Sequence, residues 1–332
     1  MALFIMSPFR VFQTTIMQID TARYLSLSHA PERLQATLAI RVTEHAFLPS
    51  VEEEILADWV ATIATPAFKL IRARQGVQTA FCSIGTGTGL DALAAAETLG
   101  ATRIGVTDVH EDVIAAAADN IRGNLKNPAS VTLEAGFGDL LEPLPPDARY
   151  DLIYENLPNI PIDDAETVAS ARNSSGHIPP RKEPIPDLMR RNLLALHYVA
   201  LQKAKGYLTP EGAVLSLIGG RIPLAVFQEM GRLAGYRPEI FTYGWKIQTN
   251  PEEIIAGHAR QEAEGLGPYH FYRAARLEEA FAGVKLEDSG KRALEIEARL
   301  QADALSPAAA LAAFRQGEVI GHTTVALRAT PL

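Results

Sequence analysis

Cysteine is nearly absent: of 332 residues only Cys82 carries a thiol, so no disulfide framework and no cysteine–histidine metal cluster can be built. A reducing, cytoplasmic setting is expected, with Cys82 a small buried apolar residue of the first core strand. Basic residues do not dominate either. The 39 acids against 31 lysines and arginines leave a formal charge of -8, the wrong sign for a surface that coats nucleic-acid phosphates. Long apolar runs are lacking too. Met1-Ala2-Leu3-Phe4-Ile5-Met6 is cut short by Pro8 and Arg10, too soon for a membrane span or a signal core. No G-x-x-x-x-G-K-[ST] occurs, which excludes a P-loop. The 8 histidines show no metal-ligand or triad-like spacing, so no metal is expected, and only His177 and His270 stand out for testing. What is left, at 47% hydrophobic and 21% charged, suits one large α/β domain with additions.

The most informative stretch is Phe81-Cys82-Ser83-Ile84-Gly85-Thr86-Gly87-Thr88-Gly89-Leu90-Asp91. An apolar run enters a turn with alternating glycines and leaves into an alanine-rich helix. Glycines there can take positive φ, expose backbone N–H groups and let a ligand lie on the main chain. The spacing is G-x-G-x-G; a dinucleotide fingerprint would need its third glycine where Leu90 stands. A second short strand, Arg103-Ile104-Gly105-Val106-Thr107-Asp108, ends in a carboxylate at the interval of a ribose-binding acid. Residues 111–121 then read as a helix with acids in its first turn. A third strand, Val131-Thr132-Leu133-Glu134-Ala135, leads to Gly138-Asp139. A fourth, Tyr150-Asp151-Leu152-Ile153-Tyr154, runs into Glu155-Asn156-Leu157-Pro158-Asn159.

Strands alternating with helices imply a doubly wound, mostly parallel sheet of seven strands with helical N-terminal and C-terminal additions. Residues 1–76 read as a helical cap, with helices opening at Pro31 and at Pro49-Ser50. The core follows over 77–250, its fifth strand at Glu211 to Gly220 behind a Pro-Glu-Gly turn and its sixth at Glu239 to Lys246. An irregular segment, 160–186, reads as a lid over the carboxyl ends of the strands. Residues 251–316 form a helical insertion, and 317–332 supply the final strand through Gly321-His322-Thr323-Thr324-Val325-Ala326-Leu327-Arg328.

This series of glycine loop, two acids after strands and Asn-x-Pro turn resembles the class I S-adenosylmethionine-dependent methyltransferases over residues 45 to 250. The resemblance implies a Rossmann-like fold and S-adenosylmethionine as cofactor. Gly85, Gly87 and Gly89 would line its methionine half, Asp108 would hold its ribose and Asp139 its adenine amino group, with Ile84, Thr86, Val109, Gly138 and Asn156 also binding the cofactor and its methyl aimed at the turn around Asn156. Glu142 and Asp147 compete with Asp139 for the adenine amino group.

The turn Asn156-Leu157-Pro158-Asn159 resembles the Asn-Pro-Pro-Tyr turn of glutamine N5-methyltransferases, but Leu157 replaces a proline and Asn159 the aromatic ring. A nearer likeness is to the methyltransferase module of methionine S-methyltransferase. It rests on Asn156 to Ile160, Gly219-Gly220-Arg221-Ile222-Pro223, Trp245-Lys246-Ile247-Gln248 and Ala46-Phe47-Leu48-Pro49. That likeness implies methylation of the thioether of free methionine, which needs alignment and no general base. Tyr154, Asn156, Pro158 and Asn159 would border the reacting centre. Arg221 is the first choice for the acceptor's carboxylate, Arg172 and Arg181 the second, and Tyr243 and Trp245 would wall the pocket. N-methylation of a protein glutamine or small amide, and cofactor binding without catalysis, are the competing readings. A small-molecule substrate, no nucleic acid, no membrane and a homodimer complete the expectations.

Overall fold

The computed structural model describes residues 15–160 and 181–332. Ten strands occur there: β1 (Thr15–Asp20), β2 (Thr37–Val42), β3 (Ala80–Ile84), β4 (Arg103–Asp108), β5 (Thr132–Phe137), β6 (Tyr150–Glu155), β7 (Leu208–Gly220), β8 (Tyr236–Ile247), β9 (Tyr272–Arg273) and β10 (Ile320–Pro331). Seven of them lie side by side in the order β5, β4, β3, β6, β7, β10, β8. The first five are parallel, as the registers Cys82↔Gly105 and Cys82↔Ile153 show. β10 runs antiparallel between β7 and β8, with Val325 opposite both Ile218 and Tyr243. The last strand in the chain therefore lies inside the sheet, and β8 forms its edge.

Both faces are covered, which explains why the central strands read as continuous apolar runs. Successive residues alternate between two cores. Phe81, Leu152 and Leu215 face helices Thr65–Gln75, Leu90–Thr98 and Glu111–Asn124, while Cys82, Ile153 and Val214 face helices Ala195–Ala204 and Leu224–Leu233. The doubly wound, mostly parallel seven-stranded sheet is thus present, with the two-residue β9 added beside β10.

The N-terminal expectation needs correcting. No helix opens at Pro31; β1 and β2 pair as an antiparallel hairpin, Met17 opposite Ile40. The missed signal is period two: Leu38, Ile40 and Val42 are buried while Thr37, Ala39 and Arg41 are exposed. Two asparagines of the helix Glu111–Asn124 dock this hairpin. Asn124 pairs with the N–H and carbonyl of Ala39 at 2.8 and 3.0 Å, and Asn120 with those of Arg41 at 2.9 Å each. Apart from the single turn Thr21–Tyr24, the described chain turns helical only after Val51, through Glu52–Ala57 and a widened turn, Val60–Ala64, into Thr65–Gln75. The Pro-Glu-Gly stretch before β7 is also not a separate turn. The pairing steps from Tyr150↔Leu208 to Leu152↔Ala213, so residues 209–212 bulge within a longer strand.

Between β8 and β10 the described chain carries helices Pro251–Ala263, Ala274–Phe281, Leu286–Ser289, Ala293–Leu300 and Pro307–Arg315, joined by turns and β9. No helix among the described residues is long and apolar enough to cross a membrane. Most of the expected lid, 160–186, lies outside the described residues, as do the apolar N-terminus and His177.

Candidate active site

The glycine loop leaves β3 at the carboxyl edge of the sheet. Gly85 and Gly87 have φ of 68° and 54°, values that a side chain would strain. The N–H groups of Gly85 and Thr86 both bond the Thr107 carbonyl, at 2.8 and 3.0 Å, tying the loop to β4. One residue further along β4, Asp108 accepts the N–H of Gly87 at 3.2 Å and that of His110 at 3.1 Å. Burial nevertheless outweighs these donors and pushes the Asp108 carboxyl up to about 6. Behind the loop, Asp91 is likewise raised to about 6 by burial, although the hydroxyls of Ser83 and Thr86 and the N–H of Ala92 bond it.

A cavity of about 240 Å³ opens against this loop. Ile84, Gly85, Thr86, Gly87, Asp108, Val109, Gly138 and Asp139 line it, as do Tyr154, Asn156, Pro158, Asn159 and Arg221. The three places on which the sequence reading depends, Gly87, Asp108 and Asn156, therefore face one space. The turn after β6 is braced from behind. Glu155 is fully buried; both its carboxylate oxygens lie 2.9 Å from Nδ1 of the equally buried His197, and Oε2 also accepts the Leu157 N–H at 3.1 Å. Asn159 donates to the Gly219 carbonyl at 2.9 Å, fixing the turn to the end of β7.

Several expected site residues stand elsewhere. Gly89 is not on the cavity wall. It caps the helix Leu90–Thr98 with φ of 82°, where a Cβ would lie 3.1 Å from Ile121 Cγ1, so packing requires this glycine. Tyr243 is buried in the core beside Phe281, and Trp245 packs against the same core, because strand alternation turns both away from the cavity. Arg181 is not free for an acceptor: it pairs with Asp139 and Glu183, each at 2.7 Å. Asp139 touches the cavity, but Lys203 holds its second oxygen at 3.2 Å. Burial works against ionisation there, yet the two cations keep the Asp139 carboxyl below its ordinary range. Arg172 lies outside the described residues.

The wall opposite the glycine loop is gathered from remote segments. Alternation along β8 that packs Trp245 against the core presents Lys246 to the cavity, with its ammonium 4.7 Å from the centre of the Trp59 ring and donating to the Ala57 carbonyl. Asp58 beside them is saturated by the Tyr24 hydroxyl at 2.7 Å and the N–H groups of Ser50 and Ala61 at 3.0 and 2.9 Å. Arg221 is 4% exposed; its Nε and Nη2 both donate to Gln248 Oε1, at 3.1 and 2.8 Å. Its guanidinium lies so close to Gly219 that a Cβ there would come within 2.2 Å of Nη1. His322, also on the wall, is buried and held well below the usual imidazole range, first by burial and then by Arg221. At His45, which lines the cavity, the fold gathers His45, His110 and Asp112, with possible ligand atoms within 4.8 Å of one another. The two imidazoles stack at 4.6 Å. That grouping adds the remote His45 to the neighbouring His110 and Asp112, so linear spacing alone could not reveal it.

No protein-family model matches the chain. Over 133 residues it is 28% identical to the release factor glutamine methyltransferase of Streptomyces coelicolor, a match covering 40% of this chain and 42% of that protein. The chain thus spans less than half the length of that curated relative. Among solved structures it is similar to the ribosomal protein L11 methylase of Lactobacillus delbrueckii subsp. bulgaricus, at 18% identity over 56% of this chain and 68% of the other, with a TM-score of 0.33. The YcgJ protein of Bacillus subtilis is similar at 13% identity over 80% of this chain and 98% of the other, with a TM-score of 0.42. A 16S rRNA N2 G1207 methyltransferase of T. thermophilus, in complex with AdoMet and guanosine, is similar at 13% identity over 68% and 47%, with a TM-score of 0.39.

Proposed function

We propose that the chain binds S-adenosylmethionine along Gly85 to Gly87 and Asp108 and transfers its methyl group to an acceptor held at the turn from Asn156 to Asn159. The observation that carries this reading is convergence: the ends of β3, β4 and β6 bring the glycine loop, the acid and the turn onto one cavity. The residues fit such a cofactor. Gly87 offers open space where a Cβ would stand, and ionised Asp108 can accept hydrogen bonds from a pair of ribose hydroxyls. When bound, the cofactor supplies a methyl group on a positively charged sulfur.

For the acceptor we propose the thioether sulfur of free methionine, giving S-methylmethionine and S-adenosylhomocysteine. The acceptor's lone pair forms the new S–C bond as the old one breaks, and no proton has to leave. The surroundings of the turn support a nucleophile of this kind. Glu155 is engaged by His197, and burial together with Arg221 makes His322 a poor base. The amide nitrogen of a glutamine is the second reading, favoured by the 28% identity to the release factor glutamine methyltransferase.

Calorimetric titration with S-adenosylhomocysteine tests the cofactor site. Transfer of labelled methyl to a panel of methionine, glutamine, amines and phenols tests the acceptor. Failure to bind S-adenosylhomocysteine at millimolar concentration refutes the whole reading. Binding without transfer to any member of the panel leaves a cofactor-binding protein that lacks this catalysis.

A further inference from the structure

Two buried cations share the cavity wall, and neither has a carboxylate partner among the described residues. Arg221 is 4% exposed and Lys246 is 5% exposed. Arg221 spends two of its donors on the neutral amide oxygen of Gln248 and lies 5.9 Å over the Phe271 ring. Nη1 has no hydrogen-bond partner among the described residues. Lys246 spends one N–H on the Ala57 carbonyl and rests on Trp59. The nearest acid, Asp58, has both oxygens occupied by other donors.

Removing a cation from water costs several kcal/mol in real proteins unless an anion or a set of dipoles replaces the solvent. Here burial draws Arg221 down to about 9 and Lys246 to about 8; the attraction of Asp58 offsets only part of the effect on Lys246, and Arg221 adds its repulsion. Polar neighbours orient both groups without neutralising them. A wall so built is completed by an anionic ligand. Guanidinium offers an edge of parallel donors and ammonium a point charge, a pair that suits a carboxylate with two oxygens. Position agrees. Arg221 follows Gly219, whose carbonyl holds Asn159, so this wall adjoins the turn at which the acceptor is proposed to react.

We infer that Arg221 and Lys246 together seat the carboxylate of a free, small-molecule acid, with Trp59 as the wall beneath it. This rests on the methyl-transfer reading and narrows its acceptor. A glutamine within a polypeptide carries no carboxylate and would leave both cations unmatched.

The experiment is calorimetric titration of three thioether probes, with and without saturating S-adenosylhomocysteine. These are methionine, 3-(methylthio)propanoate and 3-(methylthio)propylamine. Both carboxylates are expected to bind and the amine, which lacks one, to bind at least roughly tenfold more weakly. Lys246→Met should cost the carboxylate probes roughly tenfold or more and leave S-adenosylhomocysteine within about twofold, while Lys246→Arg, which keeps the charge, restores most of the affinity. The proposal is overturned if neither carboxylate binds the wild-type protein, if the amine binds as tightly as 3-(methylthio)propanoate, or if folded Lys246→Met binds them unchanged. Should Lys246→Met fail to fold, the wild-type comparison of probes still decides. Should S-adenosylhomocysteine fail to bind while the carboxylates bind, the methyl-transfer reading falls and the anion seat stands.

Discussion

Replacing Asp108 by asparagine should weaken cofactor binding and strengthen the fold, and both effects should depend on pH. The carboxyl sits 7% exposed at the end of β4, raised by burial to about 6 despite the N–H groups of Gly87 and His110. If ribose hydroxyls bond the ionised form, affinity for S-adenosylhomocysteine should be flat above pH 7 and fall as the carboxylate protonates, by roughly tenfold or ~1.4 kcal/mol from pH 7.5 to pH 5. Asp108→Asn removes the charge and should cost ~1.5–3 kcal/mol at pH 7.5, while losing most of the pH slope. Asp91, raised by burial to about 6 behind the loop, contributes to any slope that remains.

Stability should move the other way. A folded pKa raised above the unfolded value means the native state binds more protons between about pH 4 and pH 6. The stabilising contribution is fully present below the unfolded pKa and is lost as pH rises through about 6, so ionised Asp108 costs up to ~3 kcal/mol at neutral pH. Asparagine escapes that cost, less the penalty of turning an amide N–H toward one backbone N–H. Urea unfolding should therefore favour Asp108→Asn at pH 8 and show little advantage at pH 5. A variant that binds S-adenosylhomocysteine as well as the wild type, with the same pH profile, refutes the assignment of Asp108 to the cofactor.

Gly87→Ala places a Cβ where no protein atom lies within 4 Å; it should cost ~1–2 kcal/mol of stability for its left-handed φ yet reduce S-adenosylhomocysteine affinity severely in the same calorimeter. Gly89→Ala should do the reverse, since its Cβ would meet Ile121 Cγ1 at 3.1 Å and the Ala117 carbonyl at 3.2 Å; a loss of ~2–4 kcal/mol in urea unfolding is expected, with cofactor affinity of the folded protein largely kept. His197→Ala strips Glu155 of its imidazole partner at a fully buried position and should cost ~3–5 kcal/mol of unfolding free energy. Phe68→Ala empties a cluster in which Phe68 meets Phe81 and Tyr154 at ring distances of 5.5 and 5.3 Å, and should lower stability by ~3–5 kcal/mol with no change in cofactor affinity per folded molecule.

The sheet was legible because its strands announce themselves locally. β4 was expected and found at Arg103–Asp108, and β6 extends one residue past the expected Tyr154. Buried on both faces, each is a short apolar run closed by glycine or acid, a pattern that needs no knowledge of its neighbours. The hairpin of β1 and β2 failed the same reading for a physical reason. It is half exposed, so its apolar residues alternate, and Asn120 and Asn124 of a distant helix supply hydrogen bonds to β2 that no local motif encodes.

The cavity repeats that division. Its glycine-loop side is drawn from contiguous stretches, Ile84 to Thr88 and Thr107 to Val109, where one loop and one strand end supply the geometry. The opposite wall is assembled from Asp58, Trp59, Arg221, Lys246, Gln248 and His322, brought together from remote segments by β7, β8 and β10. Alternation on β8 decides the outcome there. A shift of pairing by one residue would aim Trp245 into the cavity and bury Lys246 in the core, exchanging an aromatic wall for a cation. Trp245 carries the aromatic signal of a pocket wall, but an aromatic residue on a strand is core more often than not, and the register places it so. With the observed register of Trp245 opposite Thr323, the cavity gains a second positive charge beside Arg221. Its chemistry then shifts from apolar enclosure of a side chain to recognition of a small acid.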